Sequence, residues 1–305
     1  MHQISSDHSV DHDTAGNPTI YVVIPVHNRL DATWECLESL SCQTYQHFNI
    51  VLVDDGSTDG TAEHISQKYP EVAILRGDGN LWWTGATNLG VRYTTQHCRE
   101  DDYVLTLNND TVLPPEYLKT MMSLARGAPK SLIGSIAHDY CHRDVCIDEG
   151  VGIRWFSAKF IKLKAPVGNG RDSSYSVSAL PGRGTLIPVS VFRDVGLYDE
   201  QNFPHYAADY DFSLRAAKAG YGLLLNPRGY LYAKTELTGI SNVHTKISFI
   251  AWLQSFYSIK SPNNIKIRLR FGFRHAPVLC RPSFIICDFF RVILGTLRNQ
   301  VKNLG

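Results

Sequence analysis

The sequence has neither a long apolar run nor a cysteine pair of the kind that anchors or cross-links many exported proteins. No segment offers the roughly 18 consecutive apolar residues of a membrane-spanning helix, and residues 1–18 lack the apolar stretch of a signal peptide. The seven cysteines are scattered without a CxxC pair, and an odd number argues against a complete disulfide framework. We therefore expect reduced cysteines, a cytoplasmic protein and a disordered leader over residues 1–18.

Acidic residues are nearly absent from residues 241–305, where Asp288 is the single acid among ten Lys and Arg. The formal charge of the whole chain is only +1, so the preceding part is net acidic. Apolar side chains are interleaved with these cations, which predicts a basic amphipathic helical segment. Such a segment either lies at the inner face of an anionic membrane or packs on protein as a cap or homo-oligomer contact. We expect no nucleic-acid partner.

Short β-branched runs alternate with helical patterns through the first half of the chain. The predicted strands are Ile20–Val26, 50–53, 72–75 and 103–107, and the predicted helices are 30–40, 61–69, 85–97 and 116–126. This alternation predicts a Rossmann-related α/β fold, a mostly parallel sheet flanked by helices. Ligands of such sheets bind beyond the carboxyl ends of the strands.

The rhythm changes at about residue 131 to shorter, mixed segments, without a linker. We therefore predict one domain with two halves, 19–130 and 131–240, that share a sheet, followed by the helical segment 241–305.

Two carboxylates, Asp54 and Asp55, directly follow the second predicted strand in the motif DDGSTDGT (54–61). A carboxylate at that position can accept hydrogen bonds from the imide of uracil or thymine and from ribose hydroxyls. The alternative is a turn in which Asp and Gly serve only the backbone and Ser57 or Asp59 caps the next helix.

A third carboxylate, Asp110, follows the fourth predicted strand in the motif NND (108–110). Its hard oxygens suit Mg²⁺ or Mn²⁺, with water and diphosphate oxygens completing the coordination. An Asn/Asp turn before a helix that starts with proline is the alternative.

In combination these motifs resemble the family 2 glycosyltransferases over roughly residues 20–230. The matching segments are VIPVHN (23–28), DDGSTDGT (54–61), GNLWWTGATNLG (79–90), NND (108–110), GLYDE (196–200) and ADYDFSLRAAKAGY (208–221). The resemblance implies a GT-A-like fold, a nucleotide-diphosphate-sugar donor, a divalent cation and inversion at the anomeric carbon.

The resemblance also implies roles for individual residues. Asp55 is the contact to base and ribose, Asp110 the metal carboxylate and Asp209 the catalytic base. The other implied donor contacts are Pro25, Asn28, Asp54, Asn80, Asn88, Asn108 and Arg183. Asn108 replaces the first Asp of a DxD motif, Ala208 the usual Glu before the base, and Lys234 stands near a common metal-binding His.

Four further residues carry secondary hypotheses, and Arg183 has alternatives of its own. Trp82 and Trp83 either stack on a sugar or base or pack in the core, and Arg183 in PGRG (181–184) either binds diphosphate or an anionic acceptor or lies free on a surface loop. Lys234 either supplies part of the cation's charge or is a surface lysine. Asp211 is expected to cap a helix or pair with Arg215 within it.

The sequence therefore predicts an inverting glycosyltransferase of bacterial surface-glycan synthesis (capsule, O-antigen or similar), with relatives that include rhamnosyltransferases. A UDP- or dTDP-sugar is the favoured donor, and a glycan or lipid-linked glycan is the acceptor. The alternatives are a nucleotidyltransferase, which the lack of a Gly-rich phosphate loop with a following lysine disfavours, and a noncatalytic sugar-nucleotide-binding protein.

Overall fold

The computed structural model describes residues 17–166, 173–237, 249–259 and 261–302. Its first half contains the four predicted strands and four predicted helices, with small shifts at their ends. They are β1 (Ile20–Val26), α1 (Leu30–Ser41), β2 (Phe48–Asp54), α2 (Thr61–Lys68), β3 (Ala73–Arg76), α3 (Trp82–His97), β4 (Tyr103–Thr106), β5 (Thr111–Val112) and α4 (Tyr117–Gly127). Helix α3 begins three residues earlier than predicted, so both tryptophans belong to its first turn. The predicted leader lies almost wholly outside the described residues.

The second half has two strands longer than any in the first half, several short strands and two helices. They are β6 (Ser131–Asp139), β7 (Cys146–Asp148), β8 (Val151–Arg154), β9 (Lys159–Lys162), β10 (Tyr175–Ser176), β11 (Thr185–Pro188), α5 (Val189–Val195), α6 (Ala208–Lys218) and β12 (Gly222–Ala233). The C-terminal helices are α7 (Phe249–Ser255), α8 (Ile265–His275) and α9 (Arg281–Lys302).

Both halves contribute to one sheet, in which the strand order is β10-β12-β6-β11-β4-β1-β2-β3. Strands β3, β2, β1 and β4 are parallel, as expected from strand–helix alternation. Strand β11 lies antiparallel between β4 and β6, while β12 runs parallel to β6. Since β11 is antiparallel to both of its neighbours, β6 and β12 run in the same direction as β1, β2, β3 and β4. The sheet is mixed, and the expectation of a mostly parallel sheet is confirmed for these six strands.

The core lies on both faces of the sheet, as the alternation along β1 illustrates. Ile20, Val22 and Ile24 pack toward α1, α2 and α4, whereas Tyr21 and Val23 pack toward α3, α5 and α6. Because successive strand residues point to opposite faces, both layers draw on the same short strand. The carboxyl ends of β1, β2 and β4 are left free to hold polar groups.

The C-terminal helices pack on the second of these layers. Phe271 of α8 and Phe284 of α9 are buried together, with ring centroids 6.5 Å apart, and both contact Trp155 in the β8–β9 hairpin. No helix among the described residues is long and apolar enough to cross a membrane. Helix α8 and the inner face of α9 thus pack on the domain as a cap, which is one of the two alternatives for this segment. Residues 241–248 lie outside the described residues.

Candidate active site

A cavity of about 600 Å³ opens where the carboxyl ends of β1 and β4 meet the loop 181–184 and the start of α6. Six of the residues singled out from the sequence line it: Pro25, Trp83, Asn108, Asp110, Arg183 and Asp209. They come from β1, α3, the turn after β4, the loop before β11 and α6, so residues distant in sequence share one space. The position agrees with the rule that ligands of α/β sheets bind beyond the carboxyl ends of strands.

Asp110 is a buried carboxylate without a full set of partners. Its side chain is 5% exposed, its Oδ2 lies 3.7 Å from Nη1 of Arg29, and its Oδ1 has no hydrogen-bond partner. Burial raises the pKa of this carboxyl, while the charges of Arg183 and Arg29 oppose the rise. A buried polar atom without a partner is costly, so this oxygen has the character of a ligand position.

The residues around Asp110 fit a divalent cation held mainly by non-protein oxygens. Within the described residues no cluster of three His, Cys, Asp or Glu could hold a metal ion. The side-chain oxygen of Asn108 accepts a hydrogen bond from Nε1 of Trp83 at 3.1 Å. A cation here would therefore take one oxygen of Asp110 and complete its coordination with water and diphosphate.

The loop 181–184 brings Arg183 into the cavity between Trp83 and Asp209. A Cβ atom at Gly182 would lie 2.1 Å from Cζ2 of Trp83, so no larger residue fits there without displacing the indole. The Gly182 amide donates to Oδ2 of Asp209 at 2.9 Å. The buried Nε of Arg183 has no hydrogen-bond partner, so the guanidinium can bind an anion in the cavity.

Asp209 lies in the first turn of α6, after Ala207 in a left-handed conformation with φ 66°. Its Oδ1 accepts from the Tyr210 amide at 2.9 Å. Burial raises the pKa of Asp209, the amides of Gly182 and Tyr210 oppose the rise, and the nearby charge of Asp148 adds to it. A carboxylate that offers two further lone pairs and has a raised pKa suits general-base chemistry.

Asp55 does not line the cavity, because its carboxylate holds the turn before α3. Oδ1 accepts from the Gly79 amide at 2.8 Å, and Oδ2 accepts from the amides of Leu81 and Trp82 at 3.0 Å each. The side chain is buried, and three of its roughly four lone-pair positions are used. The geometry therefore gives Asp55 a positioning role in the turn before α3, and its direct contact to the nucleoside stays a prediction.

Four of the other predicted donor contacts also lie outside the cavity lining. Asn28 accepts from the Thr58 amide at 2.9 Å, and Asp54 accepts from the Ser57 amide at 2.8 Å. Asn88 is buried in α3 and bonds the backbone N–H and C=O of Tyr198. Asn80 is exposed in the turn that Asp55 holds. These residues shape the loops at the rim instead of facing the cavity.

Three of the secondary candidates, Trp82, Lys234 and Asp211, contact protein groups around the site and do not line the cavity. Trp82 packs its ring edge-on against His205, with centroids 6.2 Å apart. Lys234 is buried, with its ammonium 2.7 Å from Oε1 of Glu35, so it is neither a surface lysine nor a group facing the cavity.

Asp211 makes the expected pair with Arg215, Nε to Oδ2 at 2.8 Å. It also receives hydrogen bonds from Arg274 and His275 of α8, at 2.9 Å and 2.8 Å. These contacts fasten the C-terminal cap to α6, the helix that carries Asp209.

Sequence reasoning did not single out several residues that line the cavity. Arg29, Asp148, Phe160, Arg268 and Asp288 are among them. One signal was available for Asp288, because a lone acid in a strongly basic segment needs a local partner. The others carry no pattern that distinguishes them from surface residues.

Two family patterns match the chain. Glycosyl transferase family 2 matches residues 21–165, and Glycosyl transferase family group 2 matches residues 103–259. The second match alone spans more than half of the chain and includes Asp110, Arg183 and Asp209. The chain belongs to the family 2 glycosyltransferases. Membership explains why the strand-end motifs and the start of α6 meet at one cavity.

Two curated relatives illustrate the range of similarity. The uncharacterized glycosyltransferase YibD of Escherichia coli (strain K12) is 29% identical over 147 residues, which are 47% of this chain and 39% of that protein. The N-acetylglucosaminyl-diphospho-decaprenol L-rhamnosyltransferase of Mycobacterium tuberculosis (strain ATCC 25618 / H37Rv) is 28% identical over 228 residues, 67% of this chain and 72% of that protein. The similarity thus spans less than half of the first relative.

A solved structure of GalNAc-T7 with UDP, GalNAc and Mn²⁺ shares the fold. The superposition has a TM-score of 0.61 at 14% sequence identity and covers 93% of this chain and 57% of that one. At this identity the likeness concerns the fold alone. This family 2 glycosyltransferase therefore has the GT-A-like fold that its motifs imply.

Proposed function

We propose that the protein is an inverting glycosyltransferase that moves a sugar from a nucleotide-diphosphate-sugar to an acceptor hydroxyl. The observation that carries this proposal is the shared cavity, where Arg183 and a cation held by Asp110 can bind the diphosphate while Asp209, on a separate element, is available to the acceptor. The acceptor oxygen bonds to the anomeric carbon as the bond from that carbon to the diphosphate oxygen breaks. Asp209 takes the proton of the acceptor hydroxyl.

Positive charge near Asp110 supports binding of the leaving diphosphate. Arg29 and the guanidinium of Arg183 supply this charge from the protein. A cation on Oδ1 of Asp110 would neutralise the negative charge that develops on the diphosphate. We favour a UDP- or dTDP-sugar as the donor.

A screen of donors tests this proposal directly. UDP-, dTDP- and GDP-sugars, each with and without Mn²⁺, are added to the protein, and the midpoint of thermal unfolding is followed, since a ligand of the folded state raises it. We expect one nucleotide class to raise the midpoint and to be hydrolysed slowly without acceptor. Binding without any hydrolysis or transfer would indicate a sugar-nucleotide-binding protein instead, and release of diphosphate from a nucleoside triphosphate would indicate a nucleotidyltransferase.

We also propose that the enzyme acts at a membrane surface on a glycan or lipid-linked acceptor in bacterial surface-glycan synthesis. The decaprenol-linked substrate named for the mycobacterial relative supports this class of acceptor. The face of α9 that does not pack on the domain is apolar, as is the turn before it. Its exposed side chains are Val278, Leu279, Ile286, Phe289, Phe290 and Leu294. Ile286, Phe290 and Leu294 recur at four-residue spacing within a basic segment, which suits insertion into an anionic interface.

Sedimentation with lipid vesicles tests the membrane contact. We expect the protein to bind vesicles containing phosphatidylglycerol more than neutral vesicles, and the double variant Phe290→Ser with Leu294→Ser to lose that binding. Phe156→Ser, which changes an exposed aromatic residue of the β8–β9 hairpin, is the matched control. Equal binding to neutral and anionic vesicles would contradict the proposal. If the wild type is a dimer and the double variant is a monomer, the face is a homo-oligomer contact instead.

A further inference from the structure

The cavity has a second group of lining residues that the donor does not account for. Phe160 comes from the β8–β9 hairpin, Arg268 and Phe271 from α8, and Phe284 and Asp288 from α9. These elements lie outside the strand-end motifs at Asp55 and Asp110. The C-terminal helices therefore form part of the substrate cavity as well as covering the core.

An aromatic surface lies directly beside Asp209. The ring of Phe160 stacks on Tyr210, with centroids 5.9 Å apart and planes at 23°, and it also contacts Phe271 at 5.9 Å. Tyr210 is the residue next to Asp209 in α6. Phe160 is 39% exposed although it lines the cavity, so part of its ring is available. The negative potential over an aromatic face attracts the polarised C–H groups on one side of a sugar ring.

A closed ion pair supplies polar groups to the same wall. Arg268 Nε donates to Oδ2 of Asp288 at 2.7 Å, a second hydrogen bond joins Nη2 to Oδ1, and Nη1 donates to the Pro262 carbonyl at 3.0 Å. The side chains of Arg268 and Asp288 are 27% and 7% exposed. Because the two charges cancel, the pair offers hydrogen-bonding groups without net charge, which suits sugar hydroxyls better than phosphate.

We propose that this second wall is the acceptor subsite, where a sugar ring stacks on Phe160 and its hydroxyls bind the Arg268–Asp288 pair. The inference rests on the proposed function. The ring on Phe160 is placed next to Asp209, where one of its hydroxyls is the nucleophile. The α8–α9 cap then sets which acceptor sugar is used, whereas the strand-end loops set the donor.

Binding of simple glycosides tests this subsite without requiring the natural acceptor. The probes are the octyl glycosides of glucose, galactose, N-acetylglucosamine and rhamnose, and saturation-transfer NMR reports contact through the sugar-ring protons. We expect at least one probe to bind the wild type, and Phe160→Ala to weaken it about tenfold through loss of the aromatic contact. Phe156→Ala, in the same hairpin but 72% exposed and outside the cavity lining, is expected to leave binding unchanged.

The ion pair needs a variant that removes both partners, because a single substitution would leave one charge buried and unpaired. We expect the double variant Arg268→Met with Asp288→Leu to retain nucleotide binding and to lose discrimination among the four glycosides. Equal glycoside affinity in Phe160→Ala and wild type would overturn the subsite. So would a wild type that binds nucleotide but none of the probes, whereas a wild type that binds no nucleotide at all overturns the proposed function itself.

Discussion

Replacing Asp209 by Asn separates proton transfer from folding, but the structure shows that this exchange is not neutral for stability. Each oxygen of the carboxylate accepts one backbone amide, from Gly182 and from Tyr210. An Asn amide has one oxygen and one NH₂ group, so in either orientation the NH₂ group faces an N–H donor. Losing one of the two hydrogen bonds and leaving that donor unsatisfied costs about 1–3 kcal/mol of unfolding free energy.

The catalytic effect of Asp209→Asn is expected to be much larger. Removing a general base lowers the rate of the chemical step by roughly 10²- to 10⁴-fold, while Asp110 and Arg183 keep their places for the donor. The assay is transfer at saturating donor and acceptor, combined with donor affinity and with urea unfolding of the same samples. Near-normal transfer in a folded variant under conditions where chemistry limits the rate would refute the assignment of Asp209.

Asp148→Asn is the matched control, because Asp148 lines the same cavity and its carboxylate accepts the Gly150 amide, which an Asn oxygen can also do. It should keep most of the transfer rate and change its pH dependence. The base acts when deprotonated, so activity rises as pH rises through the raised pKa of Asp209. The charge of Asp148 contributes to that rise, so its removal should shift the acidic limb of the profile to lower pH. An unchanged acidic limb would show that the ionisation of Asp209 does not determine the pH dependence of activity.

Three further predictions follow from particular contacts. Asp110→Ala should lower turnover by removing the ligand of the cation. Full activity of the wild type in EDTA would instead indicate that Arg29 and Arg183 neutralise the diphosphate without a cation. Asp55→Ala leaves three backbone donors without an acceptor, so the free energy of unfolding should fall by about 1–3 kcal/mol or more. The exposed control Asp78→Ala should leave it nearly unchanged, and unchanged stability in Asp55→Ala would contradict the positioning role. Asp211→Asn breaks a buried charge cluster and should cost about 3 kcal/mol, measured by urea unfolding.

The contacts of Asp211 predict how the stability of the protein changes with pH. Burial alone would raise the pKa of Asp211, but hydrogen bonds from His275 and Arg215 outweigh it and lower this pKa to about 2. A carboxyl with a depressed folded-state pKa stabilises the protein above its unfolded value and loses that contribution as pH falls toward the folded one. The wild type should therefore lose stability below about pH 4 more steeply than Asp211→Asn; parallel curves would contradict the assignment.

Local patterns predicted the first half of the fold because its signals are local. The β-branched run of β1 and the helical spacing of α1 each identify an element without knowledge of its neighbours. Strand β11 gives no comparable signal for its direction, since four buried residues fit parallel and antiparallel pairing equally. The sequence therefore predicted a shared sheet but not the antiparallel strand inside it.

Residue type alone could not assign lone pairs or partners at the site. Asp55 and Asp110 both follow parallel strands. Neither residue type nor spacing reveals that three amides occupy Asp55 while Oδ1 of Asp110 stays without a partner. Lysine is usually a surface residue, and only the tertiary structure shows that Lys234 is paired with Glu35. The direction in which a polar side chain points is a property of the packed chain.

The C-terminal segment illustrates why an amphipathic pattern has more than one outcome. Phe271 and Phe284 face the domain, while Phe290 and Leu294 on the same basic segment face away from it. Arg274 and His275 fasten the inner side to Asp211, two residues after the proposed base. Truncation at residue 241 would remove these partners and part of the cavity wall together, so loss of activity in a truncated chain could not be ascribed to membrane binding. Substitutions confined to the outer face of α9 leave Asp211 paired, and they are the changes that isolate a membrane contact from catalysis.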